Sequence, residues 1–516
     1  MTRPMDVTVR IRALAAILFF VSCGLASRAF AQAPGAATAN QLPLSGRTAQ
    51  NGSVTATQSP VPGTTTSVNT INPTVQVSGS YGGSVGSTAK LPFSGTLSLR
   101  EAVQRGLEYN LGAVGMAQAV RQARGQQRVV RSSLLPNLDG ALREFDEKLD
   151  LKAEGLGSVP HLGATLPSVI GPFNYFDLRA TLTQTVADMT ALNNYRSSKE
   201  IVRANQFSAL DARDLVVFAV GGAYLQVIAA AARVESVRAQ LETATALYQQ
   251  NAQKRSVGVL AQTDVNRSRV QALTQQERLL SLQNDLAKQK INLARLVGLP
   301  ASDRYMLSDS VPFSAAPPLT EEEALKQALV KRTDLKAAEA QTQAARFLRS
   351  AARAEYLPSA SVSADFGVIG LKPTQSNGTF TLVGTVRIPI WQGGRTEGDI
   401  EQADAALTQR RAEVEDLRGK IESDIRDAYL DLEAAGGQVE VAVTNVQVTK
   451  ETLDLTRQRF DAGVTDNVEV VQAQESVAGA ELDYINSVFA HNLAKLSLAR
   501  AVGGAAENLS QFLKLP

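Results

Sequence analysis

The sequence predicts a mainly α fold with a membrane β-barrel part, built on duplicated long α-helical hairpins. Three observations carry that prediction. First, Val439, Val446, Leu453 and Phe460 recur every seven residues, and a shift of 205 positions finds Val234, Leu241 and Tyr248 in the same phase. Sustained heptads of this kind mean helices packed along their length. Second, the same shift lays Ala223-Tyr224-Leu225 on Ala428-Tyr429-Leu430, Gly258-Val259 on Gly463-Val464, and Leu293-Ala294-Arg295 on Leu498-Ala499-Arg500. Third, a pair of stretches with period-two alternation precedes each hairpin, as strands facing lipid on one side require.

Taken in order, the chain opens like an export signal. Arg3, Arg10 and Arg12 precede the apolar run Ala13 to Val21, and Ala29-Phe30-Ala31 supplies a small-x-small cleavage pattern, so 1–31 reads as a signal peptide. The single cysteine, Cys23, lies within it. Cleavage after Ala31 removes the only thiol, and with it any disulfide or Cys-based metal site. Lipoprotein processing at Cys23 is the second reading, and Phe20-Val21-Ser22 fits that signal poorly. Residues 32–95 are rich in Thr, Ser, Gly, Pro, Asn and Gln and almost uncharged. That composition predicts a disordered leader, with surface tethering as the alternative.

Residues 96–298 then form the first structural repeat, 299–318 a proline-rich joint, and 319–516 the second repeat. Leu97 to Leu135 reads as helix, opening near Ser98 and ending at Leu135-Pro136. Its counterpart, Leu319 to Leu357, lies 222 positions later and opens with a capping box, Thr320 to Glu323.

Strands follow each Leu-Pro. Val362 and Phe366 lie on the apolar face of one, and Phe380, Leu382, Val386 and Ile388 on that of its return, with Leu371 to Gly378 as the turn. In the first repeat Phe176, Leu178 and Leu182 mark the return strand. Its partner near Leu138 to Leu151 is interrupted by Arg143, Glu144, Asp146 and Glu147. A soluble two-stranded ribbon is the alternative.

No proline occurs from Phe173 to Leu299 or from Ile390 to Leu515, which permits unbroken helices. From Gly394 to Phe460 is about 65 residues, roughly 100 Å of helix. Gly221-Gly222 and Gly436-Gly437 lie inside the long segments and mark a bend, a close helix contact or mere tolerance.

Four strands cannot close a barrel, and open edges are not tolerated in lipid, so several copies must share one. Two copies supply eight strands and three supply twelve; the physics leaves that choice open.

Leu-Pro before each strand pair, Ile388 to Gly394 (IPIWQGG), the paired AYL, and the turns Ser256 to Val265 and Asp461 to Val470 together resemble the outer-membrane efflux protein family of TolC-type channels, over about residues 97 to 503. The resemblance implies a homotrimer. Its twelve-stranded barrel would sit in outer-membrane lipid, with an α-helical barrel crossing the periplasm. It implies a passive exit duct for tripartite efflux or type I secretion, docked on a periplasmic adaptor and an inner-membrane transporter of RND, ABC or MFS type.

Within that resemblance, Val257, Gly258, Val259, Ala462, Gly463 and Val464 fall at the adaptor-docking tips, although a plain turn also explains the glycines. Asp466, Glu469 and Gln472 fall at the pore gate, with Thr263 and Asp264 on the facing tip. Three copies of Glu469 would form a ring attractive to cations; as solvated helix-start acids, Asp466 and Glu469 need no such role. The family's latch uses Arg and Tyr where this chain has Thr465 and Phe460, which implies a weaker latch.

Other classes are excluded by composition and spacing. With 52 Lys and Arg against 50 Asp and Glu, the chain has no basic excess, so no nucleic-acid partner is expected. His161 and His491 lack metal-ligand spacing and no phosphate loop is present, so neither metal, cofactor nor enzymatic activity is expected. The remaining alternative is an exported periplasmic coiled-coil structural protein. The cargo is not written in the sequence.

Overall fold

The computed structural model describes residues 52–61, 70–85, 95–151, 153, 167–300, 304–315 and 318–513. The expected signal peptide, Cys23 and His161 lie outside them.

A strand hairpin comes first, β1 (Val54–Val61) against β2 (Thr70–Val77). Over these two strands the expectation of a disordered leader is corrected; much of the rest of 32–95 lies outside the described residues. Val54 and Tyr81 are buried, and Val75 and Val77 pack on the main core. Two distant glycines make room for them: a Cβ on Gly222 would sit 2.6 Å from Val75 Cγ2, and one on Gly112 would overlap the Tyr81 ring. Few apolar residues suffice when each has a prepared slot.

After β3 (Thr96–Leu97) comes α1 (Leu99–Tyr109), capped by Ser98, whose Oγ accepts from Glu101 N at 3.1 Å. The helix expected to run on to Leu135 breaks at Asn110 and restarts as α2 (Leu111–Ser132). Asn110 takes an extended ψ of 131°, and its Oδ1 accepts from Gly112 N at 2.9 Å, so a side-chain cap outcompetes helix continuation.

β4 (Asn137–Asp150) follows, continuous in spite of its charges, then β5 (Val169–Ala187). Pairing of Leu138 with Leu182 and Leu142 with Leu178 keeps one face apolar as far as Leu142; Arg143 and Glu147 fall on the other face, while Glu144 and Asp146 interrupt the apolar one beyond it.

α3 (Met189–Ser256) has 68 residues, roughly 100 Å. Asp188 caps it, and α4 (Gln262–Val297) returns along half its length. The heptad is kept at Val234, but near the tip Leu247 rather than Tyr248 is buried. One window of α3 is apolar enough to cross a membrane by composition, and 67% of it is buried. Gly221 is a close contact, since a Cβ would meet Leu496 Cδ2 at 2.9 Å.

The joint carries β6 (Met306–Leu307), parallel to β3. In the second repeat, α5 (Glu321–Lys331) opens with the expected Thr320–Glu323 capping box and breaks from α6 (Thr333–Ala354) at Arg332, the counterpart of Asn110. Arg332 is held by Asp334 at 2.6 Å and Asp424 at 2.7 Å.

β7 (Ser359–Gly370) and β8 (Ser376–Arg387) complete one antiparallel sheet of order β4-β5-β7-β8. Leu178, Leu182, Phe366, Phe380, Leu382 and Val386 are exposed on one face, and Phe176 and Val362 are half-buried. Ile388 is exposed but lies just past the strand, a small correction: β8 ends at Arg387, ahead of Pro389. The opposite face is polar, with Arg179 bridging Asp177 and Asp365 and donating to Thr379 Oγ1 at 3.2 Å.

α7 (Arg395–Asp461, 67 residues) and α8 (Asn467–Val502) form the second hairpin, with Val439 and Phe460 buried. Gly437 faces open space, so this glycine pair, unlike the first, makes no tight contact. α9 (Ala505–Phe512) closes the fold, its first turn capped by Asp214. The main core gathers where all the helices meet, around Tyr224, Leu293, Leu493 and Leu496.

Candidate functional site at the hairpin tips

Each long helix ends in the same turn. Gly258 and Gly463 adopt φ of +79° and +74°, the left-handed region open to glycine. Val259 N bonds Lys254 O and Val464 N bonds Arg459 O, both at 2.9 Å, so orphan carbonyls of the last helical turn are satisfied. The turn thereby pushes apolar side chains outward: Val257 and Val259 are each 73% exposed and Val464 68%. Ala462 is exposed beside them. Apolar groups so placed, on rigid tips, are what a partner surface uses.

The acidic residues sit one turn on. Asp466 Oδ1 accepts from Val468 N at 2.9 Å and Glu469 N at 3.2 Å, which caps α8 and fixes Glu469 in its first turn. Glu469 lies 3.5 Å from Arg459, both half in solvent. Gln472 and Thr263 are exposed, and Asp264 pairs with Arg267 at 3.2 Å. The structure therefore brings Asp466, Glu469 and Gln472 together on one helix start, and Thr263 and Asp264 together on the other.

A tie between the tips escaped the sequence reading. Asn251 Nδ2 donates to Asn467 Oδ1 at 3.1 Å, and Asn467 Nδ2 to the Asp264 carbonyl at 3.2 Å. Lys254 and Gln250 both reach Asp461, at 3.0 Å each. The Lys254 ammonium also lies 4.4 Å from the centre of the Phe460 ring, which packs with Leu247 and Val470. The Lys254 hydrogen bond holds the Asp461 carboxyl below the usual aspartate range. Asn251 follows the buried Val237 and Ala244 at heptad spacing, and a polar residue in that register was the available signal.

Known proteins resemble the chain in sequence and in fold. A family model described as outer membrane efflux protein matches residues 324–504. The outer membrane protein OprJ of Pseudomonas aeruginosa is 24% identical over 420 residues, 79% of this chain and 84% of its own. Over its second repeat the chain thus matches the outer membrane efflux protein family.

Solved structures show the same fold. That of VceC from Vibrio cholerae covers 79% of the chain and 96% of its own, at 20% identity and a TM-score of 0.68. CmeC from Campylobacter jejuni covers 87% and 98%, at 18% identity and 0.70. The exposed apolar sheet face belongs to the outer membrane and the long helices to the periplasm. Members are passive channels rather than enzymes, and TolC-type channels are trimers working with an adaptor and an inner-membrane pump.

Proposed function

We propose that this efflux channel is the exit duct of a tripartite efflux or type I secretion assembly. It passes cargo from a periplasmic adaptor and an inner-membrane transporter of RND, ABC or MFS type to the exterior. One observation carries the reading: a four-stranded sheet with an apolar face and two open edges stands at one end of helices roughly 100 Å long, whose other ends are exposed, valine-bearing glycine turns. The open edges require further copies in lipid. The tips supply a docking surface for the adaptor at Val257, Gly258, Val259, Ala462, Gly463 and Val464.

The gate in this reading lies at Asp466, Glu469 and Gln472, facing Thr263 and Asp264. Three Glu469 carboxylates around a narrow lumen would attract cations, and Arg459 would moderate that field.

Membrane fractionation tests the duct. A detergent-requiring trimer in the outer membrane is expected, and a soluble periplasmic rod would refute it. For the gate, Glu469→Ala should raise conductance and reduce block by divalent cations; no change in either would remove Glu469 from it.

A further inference from the structure

The two faces of the β4–β5 hairpin exchange character partway along it. α2, α3, α6 and α7 join the sheet at one end, so its other end points away from the helices and the periplasm. At that far end the β5–β7 ladder stops at Phe176–Gly370 and the β7–β8 ladder at Gly370–Ser376. β4 and β5 continue past that row. Val169–Tyr175 of β5 stands roughly 20 Å above its neighbours, at about 3.3 Å per residue.

Below the row the lipid face is apolar, ending with Leu142 opposite Leu178, and the other face is polar, ending with Arg143 opposite Asp177. Glu144 opposite Phe176 marks the change, and above it the order reverses. The outward face carries Asp146 opposite Asn174, both exposed. The inward face carries Phe145 opposite Tyr175, with Phe173 next and Glu147 opposite it. The Phe145 and Tyr175 rings stack at 4.8 Å and 16°, and Phe173 lies 6.0 Å from Tyr175. Acids on the outward face are expected where a strand leaves the hydrocarbon. An aromatic cluster facing a water-filled mouth is not. Such side chains bury roughly 150–250 Å² each when covered, and all three are only half-buried within one chain.

A two-stranded hairpin in water is marginally stable and needs a further layer on its apolar face. Lipid lies on the opposite side, and the barrel wall aims the three copies of this face at one axis. Three copies hold twelve strands up to the Phe176 row and six beyond it, with no strand of β7 or β8 between the overhangs. Even eight strands enclose little more than side-chain width. We infer that beyond the membrane the three β4–β5 overhangs lean together, so that Phe145, Phe173 and Tyr175 of each copy pack on those of the other two and narrow the outer mouth. The inference rests on the trimeric duct reading and deepens it, placing a second narrowing in series with the gate at the helix tips. Each aromatic face is covered by the other copies because it continues the wall they share.

Disulfide trapping in full-length protein purified as a detergent trimer tests it. Tyr175→Cys and Phe145→Cys, made singly, should each oxidise to covalent dimers without covalent trimers, because one new thiol per chain forms one bond. Asn174→Cys on the outward face should give no dimer, and neither should wild type, which controls for Cys23. Under reducing conditions Tyr175→Cys should react with a water-soluble maleimide more slowly than Asn174→Cys, in the purified trimer and in whole cells alike. Trimers in which both inward cysteines stay uncoupled, or in which Asn174→Cys couples as well, overturn the inference. Inward cysteines that stay uncoupled and are shielded only in whole cells place another cell-surface component on the face, which overturns it too. A wild-type protein that is not trimeric overturns the duct reading instead, and this narrowing with it.

Discussion

Asn251 and Asn467, buried on different hairpins, meet through a single 3.1 Å amide hydrogen bond. Asn467 passes the tie on to the Asp264 carbonyl, so one side chain joins the end of α3, the start of α4 and the start of α8. Asn467→Ala leaves the Asn251 amide without this partner, a cost of about 1–3 kcal/mol. Single-channel recording should show a larger or more frequently open channel than wild type. Asn251→Ala should do the same, and the double variant should add less than the sum of the two.

The Lys254–Asp461 pair is partly solvent-exposed and therefore sensitive to pH and salt. Asp461 has a depressed pKa, caused first by the Lys254 hydrogen bond. A depressed carboxylate contributes its share of the tie above the ordinary aspartate value and loses it as pH falls through the folded value. Conductance should therefore rise on acidification below about pH 4, the ordinary aspartate range. High salt at neutral pH should act in the same direction. Lys254→Met should be more conductive at neutral pH and lose most of that response, measured as a pH titration of single-channel current.

Much of this was legible because periodicity survives folding. Val439 and Phe460, Gly258 and Gly463, and the alternation at Phe380 to Val386 report local geometry that tertiary contacts only confirmed. What stayed hidden depends on residues far apart in sequence. The hairpin at 54–77 packs because Gly222 and Gly112 leave slots for Val75 and Tyr81, and composition alone carries no trace of that match. The helix break at Asn110 was readable as an Asx cap but sat inside a continuous helical pattern. Of the four charges that interrupt β4, Arg143 and Glu147 fall on the polar face once Leu138 and Leu142 set the register, whereas Glu144 and Asp146 stay on the face of those leucines.

The two glycine pairs make opposite predictions. Gly222→Val overlaps Val75 and should destabilise the protein by about 1–3 kcal/mol, in the range of core overpacking. Gly437→Val points into open space. In monomeric thermal melts its effect should be small, and a trimer should show the same ranking.

Val259→Asp together with Val464→Asp places charge on both exposed tips without touching the buried tie. Trimer formation and conductance should be retained, while efflux in cells and adaptor co-purification after crosslinking fall at least tenfold. Loss of the trimer instead would mean that these valines serve assembly and not docking.

The central claim is a conducting tube closed at its hairpin tips, and planar-bilayer recording of the purified protein tests it most directly. The account predicts discrete, stepwise ion currents that are small in wild type and larger in Asn467→Ala. Protein that inserts and conducts equally with or without that tie would contradict the gate, and protein that never conducts would contradict the tube.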